Sequence, residues 1–201
     1  MRVEFWFDPA CPFCWLTSRW ITSIASERSL ELEWRPISLK FKNDPPPDSP
    51  YFARIAFTHS LLRVVESVRA AGHADRIGDL YREFGRKIHH EGSFDFDVAS
   101  ILTDLGLDPA HAAAFDDESF DRIIRSSMDD GLALTGPDVG TPIIAVEIDG
   151  ERRGFFGPVI NEFPSHANAL RLWDGYVALI GVPEFFELKR TRTGSPGLPP
   201  L

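Results

Sequence analysis

The chain has 201 residues and a formal net charge of −9, long enough for one large domain or for a domain carrying an insertion. Such an acidic balance argues against nucleic acid or an anionic membrane as a general partner. No apolar run approaches the ~20 residues of a membrane span, and Met1 leads almost at once into a strand-like segment with no room for an export signal, so a cytoplasmic protein is expected.

Val3-Glu4-Phe5-Trp6-Phe7 reads as a first strand that turns through Asp8-Pro9-Ala10 into Cys11-Pro12-Phe13-Cys14. Leu16, Trp20 and Ile24 follow four apart, the spacing of one helix face. The only two cysteines therefore sit two apart at a strand-to-helix turn, the context in which C-x-x-C reads as redox-active. Cys11 falls at the helix start, where free N–H groups and the dipole favour an anion, and a lowered thiol pKa is expected there. Cys14 lies one turn further in. The expected roles are that Cys11 attacks and Cys14 resolves. A zinc site would need two further ligands, and His59, His73, His89, His90, His111 and His166 lack the usual spacing, so no metal is expected. A structural disulfide closing so short a loop would stabilise little. Inert thiols remain the alternative.

Leu30-Glu31-Leu32-Glu33-Trp34 alternates as a second strand does, completing a βαβ unit. The stiff Asp44-Pro45-Pro46-Pro47-Asp48-Ser49-Pro50 marks the entry to an inserted module. From about Tyr51 to Leu134 every periodic stretch is helical. Phe52, Ile55, Leu62, Val65 and Val68 form one stripe ended by Gly72, and Ile77, Leu80, Phe84 and Ile88 a second that stops by Gly92. Val98, Ile101, Leu102 and Leu105 make a third, ended by Gly106, followed by the cap Asp108-Pro109. Phe120, Ile123, Ile124 and Met128 mark the last helix of the module, and all four stripes are expected to be core. The expected organisation is a domain of residues 1–49 and 137–201 with a helical subdomain of 50–136 inserted.

Strand resumes at Thr141-Pro142-Ile143-Ile144-Ala145-Val146-Glu147-Ile148, turns at Asp149-Gly150, and returns to Phe155-Phe156. Leu170, Trp173, Val177 and Ile180 mark a final helix before Gly181 and Pro183. The tail carries Lys189-Arg190-Thr191-Arg192-Thr193, too short for a nucleic-acid patch and expected to be solvated or docked. No G-x-G-x-x-G fingerprint supports a nicotinamide or flavin site, so electrons are expected to arrive by thiol exchange at Cys11.

This order, with C-x-x-C at the first strand-to-helix turn and Thr-Pro opening the third strand, resembles the α/β thioredoxin fold in its DsbA-like form, with a helical insertion between its βαβ and ββα halves. A narrower resemblance rests on Asp8-Pro9-Ala10-Cys11-Pro12-Phe13-Cys14-Trp15, Ser18-Arg19-Trp20-Ile21, Arg86-Lys87-Ile88-His89, Asp138-Val139-Gly140-Thr141-Pro142, Phe155-Phe156-Gly157-Pro158 and Phe185-Phe186-Glu187-Leu188-Lys189-Arg190-Thr191-Arg192-Thr193. Together these blocks are similar to the mycothiol-dependent nitroreductases of actinobacteria. The resemblance implies a cytoplasmic thiol–disulfide oxidoreductase with no tightly bound cofactor. Mycothiol would be its electron-donating cosubstrate, and nitro-aromatic compounds or disulfides its substrates. Phe13 stands where the motif in that family carries tryptophan, which bears on substrate preference.

The fold resemblance further implies a cis Thr141-Pro142 bond, with the Thr141 backbone facing Cys11 and free to pair with a substrate amide. Thr141, Pro142, Phe13, Trp15 and His89 are the expected substrate-binding residues. His89 and His90 read equally as proton donors near the thiol or as residues of a helix end. Asp8 reads as turn former or as proton acceptor for Cys14, and Trp6 and Phe156 as pocket lining or core. The rival readings are a protein disulfide reductase or isomerase and a chaperone-like binding module, and the residues leave a homodimer open.

Overall fold

The structure, a computed structural model, describes Met1–Leu201. Four strands form one sheet in the order β2-β1-β3-β4. Here β1 is Arg2–Phe7, β2 Glu31–Pro36, β3 Ile143–Ile148 and β4 Glu151–Phe156. β1 and β2 run parallel with Phe5 beside Trp34, joined by the crossover helix α1, Pro12–Ile24. β3 lies antiparallel to β1 and hairpins into β4 through Asp149-Gly150, whose φ values of 55° and 77° suit the tight turn foreseen there. β1 is one of the two interior strands, and its five residues from Val3 to Phe7 are buried, as a near-continuous apolar run requires when both faces are covered.

Between β2 and β3 lie α2 (Leu39–Asn43), α3 (Phe52–Ala70), α4 (Ile77–Gly85), α5 (Val98–Asp104) and α6 (Asp121–Thr135). α7 (His166–Ile180) follows the hairpin and packs on α1, where Trp20 Nε1 donates to Ala169 O at 3.0 Å. One core of 30 buried residues runs from Phe5, Phe7 and Trp34 of the sheet into Leu61, Val65, Tyr81 and Phe84 of the helical segment. The helical segment thus shares the core of the sheet. A second, smaller cluster, with Trp6, Ile37, Met128, Ile143 and Ala145, seals the opposite face under α6.

The structure departs from expectation in five places. α2 has no periodic signature and forms because Ser38 caps it, its Oγ accepting from Phe41 N–H. The segment after Asp108-Pro109 winds as a 3-10 helix, Pro109–Asp116, and α4 ends in a π-helical turn, Arg86–His90. Ile123 is 48% exposed rather than core, because α6 packs through Ile124, Ser127 and Met128. Gly157-Pro158 is a second cis bond beside the expected cis Thr141-Pro142. No helix is long and apolar enough to cross a membrane.

Candidate active site

Antiparallel pairing of β1 with β3 sets Trp6 against Ile143. The chain leaving β1 toward the cysteines and the chain entering β3 through Thr141-Pro142 therefore meet at one end of the sheet. This brings together motifs 130 residues apart: Cys11 Sγ lies 3.6 Å from Thr141 O and donates toward it.

Cys11 is the N-cap of α1, with β-region angles of φ −85° and ψ 111°, and Pro12 follows at the first helical position. The Cys11 sulfur accepts the Cys14 N–H at 3.4 Å, the helix-start interaction the motif suggests. The expected depression of its pKa does not follow. Burial pushes the Cys11 thiol up to about 11, and the Cys14 and Phe13 N–H groups and Arg192 only partly offset it, while the Asp8 charge adds to the rise. Both cysteines are free thiols, Cys11 half-buried and Cys14 buried.

Burial likewise pushes the Cys14 thiol up, with Cys11 adding to the effect and the Thr141 hydroxyl opposing it. Thr141 Oγ1 is 3.1 Å from Cys14 Sγ and 3.0 Å from Trp6 O. A single hydroxyl hydrogen serves one of these at a time. With Cys14 as a thiol it donates to the Trp6 carbonyl, and on ionisation it can turn to the sulfur. Residue type alone does not disclose this side-chain role, since the same hydroxyl on an edge strand would face water.

Asp8 is fully buried at the start of the turn that leads into Cys11, whose N–H bonds to the Asp8 carbonyl. Its Oδ1 accepts from Ala10 N–H at 2.8 Å and its Oδ2 from Leu39 N–H at 2.7 Å. Burial raises its pKa to about 6 against the lowering effect of these bonds. Asp8 is thus both turn former and a carboxyl able to exchange a proton near neutral pH.

The residues expected to bind substrate divide in two. Phe13 is half-buried, with the Arg192 guanidinium of the C-terminal tail 5.2 Å from its ring centroid. The tail is docked, as Phe185 packs edge-on against Phe155 and Gly197 N–H bonds to Asn161 O. Trp15, by contrast, is 1% exposed and belongs to the core behind the motif, which removes it from any open surface. It packs under α4 so closely that a methyl group at Gly85 would overlap its ring. The π-helical turn then delivers two consecutive histidines to it. His89 stacks on the Trp15 ring with centroids 5.9 Å apart, and His90 accepts the Trp15 Nε1–H at 3.2 Å.

His89 donates its Nε2–H to Pro9 O at 2.8 Å, which assigns the tautomer, and burial lowers its pKa to about 4. With this pKa it is neutral at pH 7, and its hydrogen bond is made to the motif loop. Phe156 flanks the site on β4 and is half-buried, and Trp6 is fully buried, its Nε1 donating to Ser127 O at 2.7 Å.

Comparison with known proteins gives three findings. Residues 10–190 match the family described as Rv2466c-like, mycothiol-dependent nitroreductase Rv2466c. A Mycobacterium tuberculosis protein, the uncharacterized protein Rv2286c, is 29% identical over 196 residues, spanning 95% of this chain and 82% of that protein. Among solved structures, the cytosolic disulfide reductase DsbM from Pseudomonas aeruginosa aligns with a TM-score of 0.58 at 16% identity, over 89% of this chain and 100% of that one. SCO1869 of Streptomyces coelicolor, described as a probable DsbA oxidoreductase, aligns with a TM-score of 0.58 at 18% identity, over 96% and 94%. At these identities the solved structures show the fold alone: an α/β thioredoxin fold of the DsbA-like form, with a helical insertion.

Proposed function

Since the chain belongs to the Rv2466c-like mycothiol-dependent nitroreductase family of thiol–disulfide oxidoreductases, we propose that Cys11 and Cys14 form a catalytic dithiol recharged by mycothiol, which reduces small electrophiles such as nitro-aromatic compounds or disulfides. The observation that carries this reading is the pairing of a half-buried thiol with a buried one across the Thr141-Pro142 backbone.

With a disulfide substrate, Cys11 as thiolate attacks one sulfur, forms a mixed disulfide and releases the other half as a thiolate. Cys14 then passes its proton to the Asp8 carboxylate and attacks the Cys11 sulfur, releasing the second half. With a nitro-aromatic substrate, two electrons and two protons leave the dithiol, and one nitro oxygen departs as water, giving the nitroso compound. Two mycothiol molecules return the electrons by two exchanges at Cys11 and leave as their disulfide. Cys11 thus handles every exchange with solution, consistent with its greater exposure.

In this reading the Thr141 carbonyl, which takes the Cys11 S–H in the dithiol state, is released once that sulfur is bonded, and pairs with an amide of the bound thiol. Phe13 offers an aromatic wall. His89 contributes through the Pro9 carbonyl, and the helical segment 50–136 acts as the inserted subdomain that shapes the approach to Cys11.

The experiment is steady-state reduction of a nitro-aromatic compound and of a small disulfide, with mycothiol, glutathione and thioredoxin offered in turn as electron donor. Mycothiol is expected to sustain many turnovers, lost in Cys11→Ser. Turnover driven directly by NADPH with both cysteines replaced would refute the reading.

A further inference from the structure

Arg19 follows Cys14 on α1 and is 8% exposed. Its guanidinium lies over the Trp15 ring at 4.6 Å and the Tyr81 ring at 5.9 Å. Nη2 has no hydrogen-bond partner, and Nε reaches only the neutral Ser18 hydroxyl at 3.3 Å. The carboxylate that acts on it electrostatically, Asp79 of α4, forms no ion pair with it, and Arg82 opposes that action. Burial lowers its pKa to about 10, so it remains a cation at neutral pH.

Tyr81 is fully buried beside it, stacked on Phe7 with centroids 4.2 Å apart, and its hydroxyl also lacks a well-formed hydrogen bond. That hydroxyl lies near enough to Cys14 for the two groups to influence each other's ionisation. A buried cation and a buried phenol, each left short of partners, cost stability and invite an account. Packing alone does not supply one, because an uncharged side chain of similar length would cover Trp15 without the desolvation cost. What the neighbourhood lacks is an anion, and the proposed cycle creates one there: the Cys14 thiolate.

We propose that Tyr81 and Arg19 form a preorganised anion site for the Cys14 thiolate, Tyr81 donating its O–H to the sulfur and Arg19 acting behind it as a positioning and field-setting residue. The proposal rests on the reading of Cys14 as the resolving cysteine. In the step concerned, the Cys14 proton passes to Asp8 and the sulfur lone pair attacks Cys11. The outgoing small thiol takes the electron pair of the broken bond. The ionisable side chains that act on Cys14 are Cys11 and Tyr81, with Arg19 acting from further off; Asp8 reaches Cys14 through its backbone, and its charge acts on Cys11.

The test is stopped-flow reaction of the reduced protein with Ellman's reagent. Attack by Cys11 releases one equivalent of coloured thiolate, and resolution by Cys14 releases the second. Arg19→Met should leave the first release within about twofold and slow the second about tenfold. The pH midpoint of the second phase should rise. Arg19→Lys should restore much of the rate, and Tyr81→Phe should slow the same phase. An unchanged second phase in Arg19→Met and Tyr81→Phe overturns the proposal, and Tyr81→Phe decides alone should Arg19→Met not fold. Release of a single equivalent by the unmodified protein would overturn the two-cysteine reading itself, and this proposal with it.

Discussion

His89 of the π-helical turn donates to the carbonyl of Pro9 at 2.8 Å, so one hydrogen bond ties the helical segment to the loop that presents Cys11. Its removal should be felt at the thiol although the imidazole does not titrate near pH 7. His89→Gln can keep a donor to Pro9 and is expected to retain most activity. His89→Ala leaves that carbonyl unpaired, at a cost of about 1–3 kcal/mol, and should lower kcat. The folded pKa of about 4 lies below the ordinary histidine value, so unfolding takes up a proton between those limits. Stability from this group is therefore full above pH 6.5 and declines as the pH falls toward 4. Urea unfolding at pH 5 and 7 should show a smaller pH difference in His89→Gln than in the unmodified protein. An equal difference in both would remove His89 from the acid-side loss.

Asp8 acts in the opposite sense. Its carboxyl is raised from 3.8 to about 6 by burial, so the folded protein binds more protons than the unfolded chain across that window. Stability from this group is present at low pH and is lost as pH rises from about 4 to 6. A rise of this size corresponds to about 3 kcal/mol as an upper figure. Asp8→Asn should thus stabilise the protein at pH 7 and leave it little changed at pH 4, although it weakens the bonds from Ala10 and Leu39. The same variant should slow the second release of Ellman's thiolate, having lost the proton acceptor. Denaturant titrations at both pH values check the first claim, and a variant less stable at pH 7 would refute it.

Much of this site was legible from residue types, and what was not has a common cause. The strand-turn-helix around Cys11, the Asp149-Gly150 hairpin and the helical stripes depend on local spacing, which a sequence displays directly. The Thr141-Pro142 contact depends on strand pairing, yet was reachable because the order of elements implies the fold. The π-helical turn was not: Ile77, Leu80, Phe84 and Ile88 keep helical spacing, and nothing in them marks the widened turn that sends His89 and His90 to Trp15. Arg19 and Tyr81 were invisible for another reason. An arginine in an amphipathic helix reads as solvated, and only packing of α4 over α1 shows that it is buried. Cys11 gave the converse error, since helix-end electrostatics can be read from position whereas desolvation depends on everything that covers the sulfur.

The division of labour between the cysteines can be trapped. Cys14→Ser should accumulate a stable mixed disulfide between Cys11 and the small thiol, because the group that would displace it is gone. Cys11→Ser should form little adduct, as Cys14 is buried with 0% exposure. Mass spectrometry of both variants after exposure to mycothiol disulfide tests this. An adduct on Cys14 and none on Cys11 would reverse the assignment.

The last prediction concerns the tail. Arg192 reaches back over Phe13 and lowers the Cys11 pKa, opposing the burial that raises it to about 11. Neutralising it should therefore move Cys11 ionisation upward and make the thiol less reactive at neutral pH. The Arg192 side chain is exposed, so the effect should be modest and sensitive to salt, because screening shortens to about 3 Å at 1 M ionic strength from about 10 Å at 0.1 M. The measurement is the pH dependence of iodoacetamide alkylation in a Cys14→Ser background, with and without Arg192→Gln, at low and high salt. The Arg192→Gln midpoint should lie higher at low salt, and the two curves should converge at high salt. Coincident curves at low salt would show that the basic tail docks beside the thiol without acting on it.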